Sequence, residues 1–297
     1  MKLYLELFIL GLPIAGIFAL IATGVVMVYR ASRVLTLAQG GVAMFTAYIL
    51  FQLNDENRWN IPLGVALPLA VLASALLGYI IERFFIRPLR DRPVLTSVIM
   101  TVGILALLTG LAGIIWSYDR QPAPSLTPQG SLTLWGITMP YSQLFILVVT
   151  VVIMFAVVYL FKYTTLGIAM RAVADDRRAA LLMGVPADRV SSLTWIIGAV
   201  LAGLAGILLS PIVQLHPVIL TLLSIPAYAA ALFGGLTNLF TMVVGAGVIG
   251  VLYAEIPSLP IVRSSEFPGV RELVIFGSVI IFMFFRGQKT QLQEEEI

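Results

Sequence analysis

The chain has 297 residues, 60% of them hydrophobic and 11% charged, with a mean hydropathy of +1.01 and a formal net charge of +3. This composition excludes an ordinary soluble domain and identifies a membrane protein. Zero cysteines and one histidine, His216, exclude disulfide frameworks and thiolate or imidazole metal centres, and the small dispersed charge excludes a nucleic-acid-binding face.

About 20 apolar residues cross the hydrocarbon layer, where the backbone must satisfy its own hydrogen bonds, so long apolar runs predict helices. The first covers 7–29, about twice the apolar core of a signal peptide. It has no small-residue cleavage site and reads as a retained span. Further spans are predicted at 34–53, 61–82, 94–116, 141–161, 190–213, 218–233, 239–255 and 270–285. The expected fold is an all-α, polytopic transmembrane bundle of about eight or nine spans, two of them short, forming a single domain over 1–297. Positively charged loops stay in the cytoplasm. With the N-terminus outside and the C-terminus inside, thirteen Lys and Arg residues face the cytoplasm, including the dense runs at 83–92 and 171–189, and five face out.

Along the chain, Thr36 precedes Leu37-Ala38-Gln39-Gly40-Gly41, which sets paired glycines beside an amide in an apolar region. Phe233-Gly234-Gly235-Leu236-Thr237-Asn238 repeats that arrangement. Glycine pairs loosen a helix, and irregular backbone at membrane depth is tolerated when buried in protein or lining a polar cavity. Thr36, Gln39, Gly40, Gly41, Gly234, Gly235 and Asn238 are therefore candidates for a translocation pathway; turns at the membrane surface and close packing are the competing reading. Ionisable residues lie at or near predicted helix ends, with Glu82 and Glu255 the nearest to an intramembrane acid. A proton relay would need an acid inside the bundle. The outward segment 117–140 carries four prolines and reads as an ordered loop, Trp116 and Trp135 suit the interfacial belt, and Glu294 to Glu296 read as a solvated end.

The inward segment 162–189 has helix punctuation of its own. Asp175 or Asp176 is expected to cap a helix start, and Gly184 to supply a left-handed stop with Pro186 just beyond. Ala179, Ala180 and Met183 are expected to share one face of a short amphipathic helix at the cytoplasmic surface, a docking ridge. Farther on, Gly198, Ala202, Gly203 and Gly206 read as close-packing positions, and His216 before Pro217 as a boundary residue. Gly245-Ala246-Gly247-Val248-Ile249-Gly250 matches G-x-G-x-x-G, but it lies inside a transmembrane run without a strand before it and is read as helix packing.

Ala179-Ala180, three residues and Gly184 match the A-A-x-x-x-G core of the loop by which ABC importer permeases contact their ATPases, with Arg178 where a Glu usually leads. The surrounding run TTLGIAMRAVADDRRAALLMGVPADRVSSLTWIIGAVLAGLAGIL resembles the LivH-type branched-chain amino acid permeases. So do YRASRVLTLAQGGVAMFTAYI, RPLRDRPVLTSVIMTVGI and AYAAALFGGLTNLFTMVVGAGVIG, and the resemblance covers about 11–285. Departures are Thr36 for a common Asn, Gly41 for an acid, and Thr237-Asn238 for Gly-Ser.

The resemblance implies a permease subunit of an ATP-binding cassette importer in the bacterial inner membrane, translocating branched-chain or related amino acids. A binding protein would deliver them. It implies a second homologous permease, two ATPase subunits and ATPase coupling through Asp175, Arg178, Ala179, Ala180 and Gly184. The sequence has no G-x-x-x-x-G-K-[ST] loop, so no ATPase site, enzyme activity, catalytic residue or bound cofactor is expected of this chain, and ATP is consumed by the partners. Urea or short amides as substrates, and an ATP-independent channel or secondary carrier, are the alternatives.

Overall fold

A computed structural model of the chain describes residues 2–90, 92–128, 130–134, 137–236 and 238–255, with 273 and 277. The span expected at 270–285 falls outside the described residues apart from those two positions, as do Trp135 and Thr237. The elements are α1 (Lys2–Ser32), α2 (Ala38–Asn54), α3 (Leu63–Ile80), α4 (Val94–Trp116), α5 (Tyr141–Tyr163), α6 (Thr165–Asp175), α7 (Arg177–Leu182), α8 (Ala187–Val213), α9 (Pro217–Leu222), α10 (Ile225–Phe233) and α11 (Leu239–Glu255). A π-helical segment, Ile81–Ile86, and a 3₁₀ turn, Arg87–Leu89, continue α3. The expected helical bundle is present. Among the described residues, five runs are long and apolar enough to cross a membrane, Phe8–Ser32, Leu63–Leu89, Val94–Trp116, Tyr141–Tyr163 and Ala187–Val213. The helices of 34–53, 218–233 and 239–255 are shorter.

Burial sorts these helices into an inner and an outer set. The spans of α1 and α8 are 72% and 61% buried, against 22–28% for those of α3, α4 and α5. Small residues explain the inner set. Without a hydrophobic force between helices in lipid, close backbone approach supplies the packing energy. A Cβ on Gly24 would lie 2.9 Å from the Gly198 carbonyl oxygen, one on Gly203 2.7 Å from Ser74 Cβ, and one on Gly206 2.0 Å from the Ala43 carbonyl oxygen. Thus α8 is held against α1, α2 and α3 at successive glycines, as Gly198, Gly203 and Gly206 were expected to do. The G-x-G-x-x-G run behaves likewise: Gly250 backs onto Ala15 of α1 and Gly245 onto Phe233 of α10. The outer helices turn large apolar side chains such as Leu72, Ile99, Val152 and Phe155 outward.

One local expectation, for Trp116, is corrected, and two others, for the 117–140 loop and the boundary residue His216, are made specific. The 117–140 loop contains an antiparallel hairpin, β1 (Ser131–Leu134) with β2 (Ile137–Pro140), in which Leu132 pairs Met139. Gln121 and Leu215 exchange backbone hydrogen bonds of 2.9 and 3.0 Å, pinning the loop to the end of α8. Trp116 is not an interfacial anchor: it is 6% exposed, donates to Gln52 Oε1 at 2.9 Å and stacks on Tyr48. His216 Nδ1 accepts from the Ile219 N–H and caps α9.

The glycine contacts generate a stability test. Gly206→Val should overpack α2 against α8 at a cost of about 3 kcal/mol, the upper part of the range for core overpacking, and lower the melting temperature in detergent by several degrees. Gly103→Ala, where an added Cβ meets nothing within 4 Å, should leave melting unchanged or raise it slightly. Equal melting of the two variants would remove the close-packing account.

Candidate translocation and coupling site

Helix α2 begins inside the bundle. Residues 33–37 are non-helical, yet Thr36 is 0% and Gln39 3% exposed. Gln39 lies against Gly198, eleven residues or about 16 Å along α8 from Ala187 at 1.5 Å per residue. Irregular backbone at such depth needs internal hydrogen-bond partners. Leu37, the N-cap, offers no side-chain cap. Instead the Leu37 N–H donates to Thr101 Oγ1 of α4 at 3.2 Å, and the Gly40 N–H donates to the Tyr228 hydroxyl at 3.1 Å. That hydroxyl in turn donates to the Leu37 carbonyl at 2.6 Å. Gly40 and Gly41 do not loosen a helix, contrary to expectation. They lie in the first turn of α2 and admit α9 and α10 at Ser224, and Leu105 and Leu108 of α4, where a Cβ would collide or crowd.

Beside this break, Thr36, Gln39, Gly78, Ile81, Trp195 and Ala199 line a cavity of about 10 Å³. Thr36 Oγ1, Gln39 Oε1 and Trp195 Nε1 have no hydrogen-bond partner in the protein. This volume accommodates about one water, with an amide oxygen that accepts, an indole N–H that donates and a hydroxyl that can do either around it. A cavity of this size is too small for an amino acid, so the polar cluster is closed in this conformation.

The second predicted cluster lies elsewhere. Gly234 and Gly235 terminate α10: the Leu236 N–H reaches the Ala231 carbonyl, the Gly235 N–H that of Leu232, and Gly235 takes φ +62°. This is the paired-bond stop that left-handed glycine favours. Asn238 is exposed, and its Oδ1 accepts from the Phe240 and Thr241 N–H groups, capping α11. From Tyr228 at the α2 break to Gly234 is six residues of α10, about 9 Å. The structure therefore unites Thr36, Gln39, Gly40 and Gly41 but sets Gly234, Gly235 and Asn238 at a separate turn.

In 162–189 the structure forms two helices, not one. Thr164 Oγ1 accepts from the Gly167 N–H to cap α6, and Arg33 donates to the Ala174 carbonyl at its end at 2.6 Å. Asp176, not Asp175, caps α7: its Oδ1 accepts from the Arg178 and Ala179 N–H groups at 2.7 and 3.0 Å. Asp175 is the last residue of α6. Gly184, at φ +83°, follows α7 with the same stop as Gly235, since Gly184 N–H bonds Leu181 and Val185 N–H bonds Ala180. The expected shared face is corrected: Ala180 is buried at 4%, whereas Ala179 and Arg178 are exposed and Leu182 and Met183 are 89% and 84% exposed. Four residues separate Ala179 from Met183, so both look outward while Ala180 turns in.

Between α7 and the bundle lies an ion cluster that sequence reasoning missed. Arg177, the first residue of α7, pairs with Asp188 of α8. Asp188 also receives Arg87 and, at 2.6 Å, Arg90. Arg90 further reaches Glu82 at 3.2 Å, and Glu82 accepts from the Ser192 hydroxyl at 2.6 Å. Glu82 is 0% exposed, inside the π-helical turn rather than at a span end, because the helical run continues to Leu89. The side chain of Glu255 lies outside the described residues. The only sequence signal for the cluster was the density of Arg at 83–92 and 171–189.

Comparison with known proteins places the chain in a family. The family described as branched-chain amino acid transport system / permease component matches residues 7–284. A high-affinity branched-chain amino acid transport system permease protein, BraD of Pseudomonas aeruginosa, is 30% identical over 294 residues, 95% of this chain and 94% of that one. LivH of Escherichia coli K12 is 29% identical over 256 residues, covering 82% and 83%. A probable LivH of Methanocaldococcus jannaschii is 26% identical over 246 residues, covering 80% and 76%. No solved structure matches. The chain belongs to the permease-component family of branched-chain amino acid transport systems, as a multi-pass membrane protein.

Proposed function

We propose that this chain is the membrane-spanning permease subunit of an ABC importer for branched-chain or related amino acids. The single observation that carries the coupling part of this reading is α7: a short helix capped at both ends that presents Leu182 and Met183 almost fully to its surroundings. Large apolar side chains exposed together on a capped turn mark an interaction surface. The basic end, with Arg33, Arg90, Arg177 and Arg178, is assigned to the cytoplasm, which sets α7 where an ATPase subunit docks. Ala179, Leu182 and Met183 supply the docking face, Asp176 and Gly184 hold its shape, and Asp175 and Arg178 flank it with charge.

In this reading a binding protein delivers the solute to the opposite end, and a second homologous permease completes the path. ATP bound by two separate subunits drives the conformational change from the α7 side. The closed cluster at Thr36 and Gln39 is the element that such a change would open. The family match over 7–284 and the names of the relatives favour amino acids over urea or amides. The bacterial inner membrane is the corresponding location.

Two experiments test the reading. Co-purification of the tagged chain in mild detergent should retain ATPase subunits, and Leu182→Glu with Met183→Glu should reduce that retention about tenfold or more, a loss of about 1.4 kcal/mol. Undiminished retention would reject α7 as the docking site. Gly184→Val forces a branched residue into left-handed backbone at about 1–2 kcal/mol. It should lower ATP-dependent uptake of labelled leucine by reconstituted complex, whereas uptake independent of ATP in the unmutated protein would reject the importer.

A further inference from the structure

We propose that Arg177 and Asp188 form the joint through which displacement of α7 reaches the closed polar cluster at the start of α2. The inference rests on the importer reading above and assigns positioning residues within it. Arg177 points the opposite way from the docking face: its guanidinium meets Asp188 while Leu182 and Met183 look outward. Asp188 is shared with Arg87 and Arg90 from the segment after α3, so one carboxylate ties three parts of the chain.

From Asp188 the polar contacts continue inward along one face of α8. Asp188, Ser192, Trp195 and Ala199 are spaced by four, three and four residues, which aligns them on a helix. Ser192 donates to the buried Glu82, and Trp195 and Ala199 line the cavity with Thr36 and Gln39. The distance from Asp188 to Trp195 is seven residues, about 10 Å. Glu82 belongs to the π-helical segment, a wide turn of a kind often found at functional sites. Gly78, one turn before it, lets α3 touch α8 at Trp195 and Ala199. The covalent route from α7 to α8 runs through Gly184 at φ +83° and bends there, whereas the ion pair crosses directly.

Charge balance shows which member of the cluster is dispensable for folding. Among the described residues, three guanidinium groups meet two carboxylates, Glu82 and Asp188. Removing Arg177 leaves Arg87 and Arg90 with Glu82 and Asp188, a balanced set with every remaining contact intact. Arg177 therefore adds the tie to α7 rather than the neutralisation of the buried acid.

The test uses the whole importer in liposomes, with the chain carrying Arg177→Gln, which keeps length and removes charge. ATPase subunits should co-purify in the unmutated ratio. Solute transported per ATP hydrolysed should fall about tenfold, within the range of coupling between separate sites, and stimulation of hydrolysis by loaded binding protein should disappear. Arg177→Lys, which restores the charge, should recover most of both. Unmutated transport per ATP in Arg177→Gln would overturn the joint, as would loss of ATPase retention, which would make Arg177 a docking residue. Absence of ATP-driven uptake by the unmutated complex would instead reject the importer reading itself.

Discussion

The hydroxyl of Tyr228 accepts from the Gly40 N–H and donates to the Leu37 carbonyl, and the start of α2 depends on that exchange. A helix that begins at depth leaves free N–H groups where lipid offers no partner. Thr101 from α4 satisfies that of Leu37 and Tyr228 from α10 that of Gly40, without a local cap. The consequence is spatial: α2, α4 and α10 must meet at one point, and Gly40 and Gly41 must be small enough to let them. Placement of Thr36 and Gln39 against α8 follows, and with it the only cluster of unpartnered polar atoms that joins α2 to Trp195 among the described residues.

Elements governed by local chemistry were legible in the sequence. Long apolar runs marked the helices, and Gly184 marked the stop of α7 because a left-handed residue ends a helix whatever surrounds it. The small residues of α8 announced close packing. Features that depend on distant partners were not legible. Asp175 and Asp176 are chemically equal caps, and only the non-helical backbone of Asp176, at φ −145°, decides between them. Trp116 resembled an interfacial anchor until Gln52 and Tyr48, more than sixty residues away, were seen to occupy its ring. Glu82 looked like the end of a span because its partners Arg90 and Ser192 come from later in the chain. The glycine pairs at 40–41 and 234–235 look alike in sequence and do different work, one admitting neighbours and the other stopping a helix.

Charge placement follows from the same energetic constraint. A buried carboxylate is costly unless paired and hydrogen-bonded, and breaking such a pair costs more than forming it gains. Glu82 satisfies both demands through Arg90 and Ser192. Asp188, half-exposed, is reached by three guanidinium groups, so its role is to join segments rather than to compensate a desolvated charge. The cluster thus has a buried end that fixes α3 to α8 and a more exposed end that holds α7.

Helix α8 is suited to carry a displacement because its two halves are built differently, polar at its start and close-packed at glycines farther along. Toward α1 and α2 it presents Gly198 and Gly206, where backbones nearly touch, and interfaces packed so closely shift between discrete arrangements rather than deform by degrees. Toward α3 it presents Gly203 against Ser74 farther along, and in its first turns Asp188 and Ser192, polar groups that hold partners on the segment after α3. A force entering at Asp188 therefore cannot be absorbed by gradual compression of the glycine contacts. It is relieved by moving α8 as a unit, and the nearest groups with unmet hydrogen bonds, Thr36, Gln39 and Trp195, are those whose rearrangement costs least.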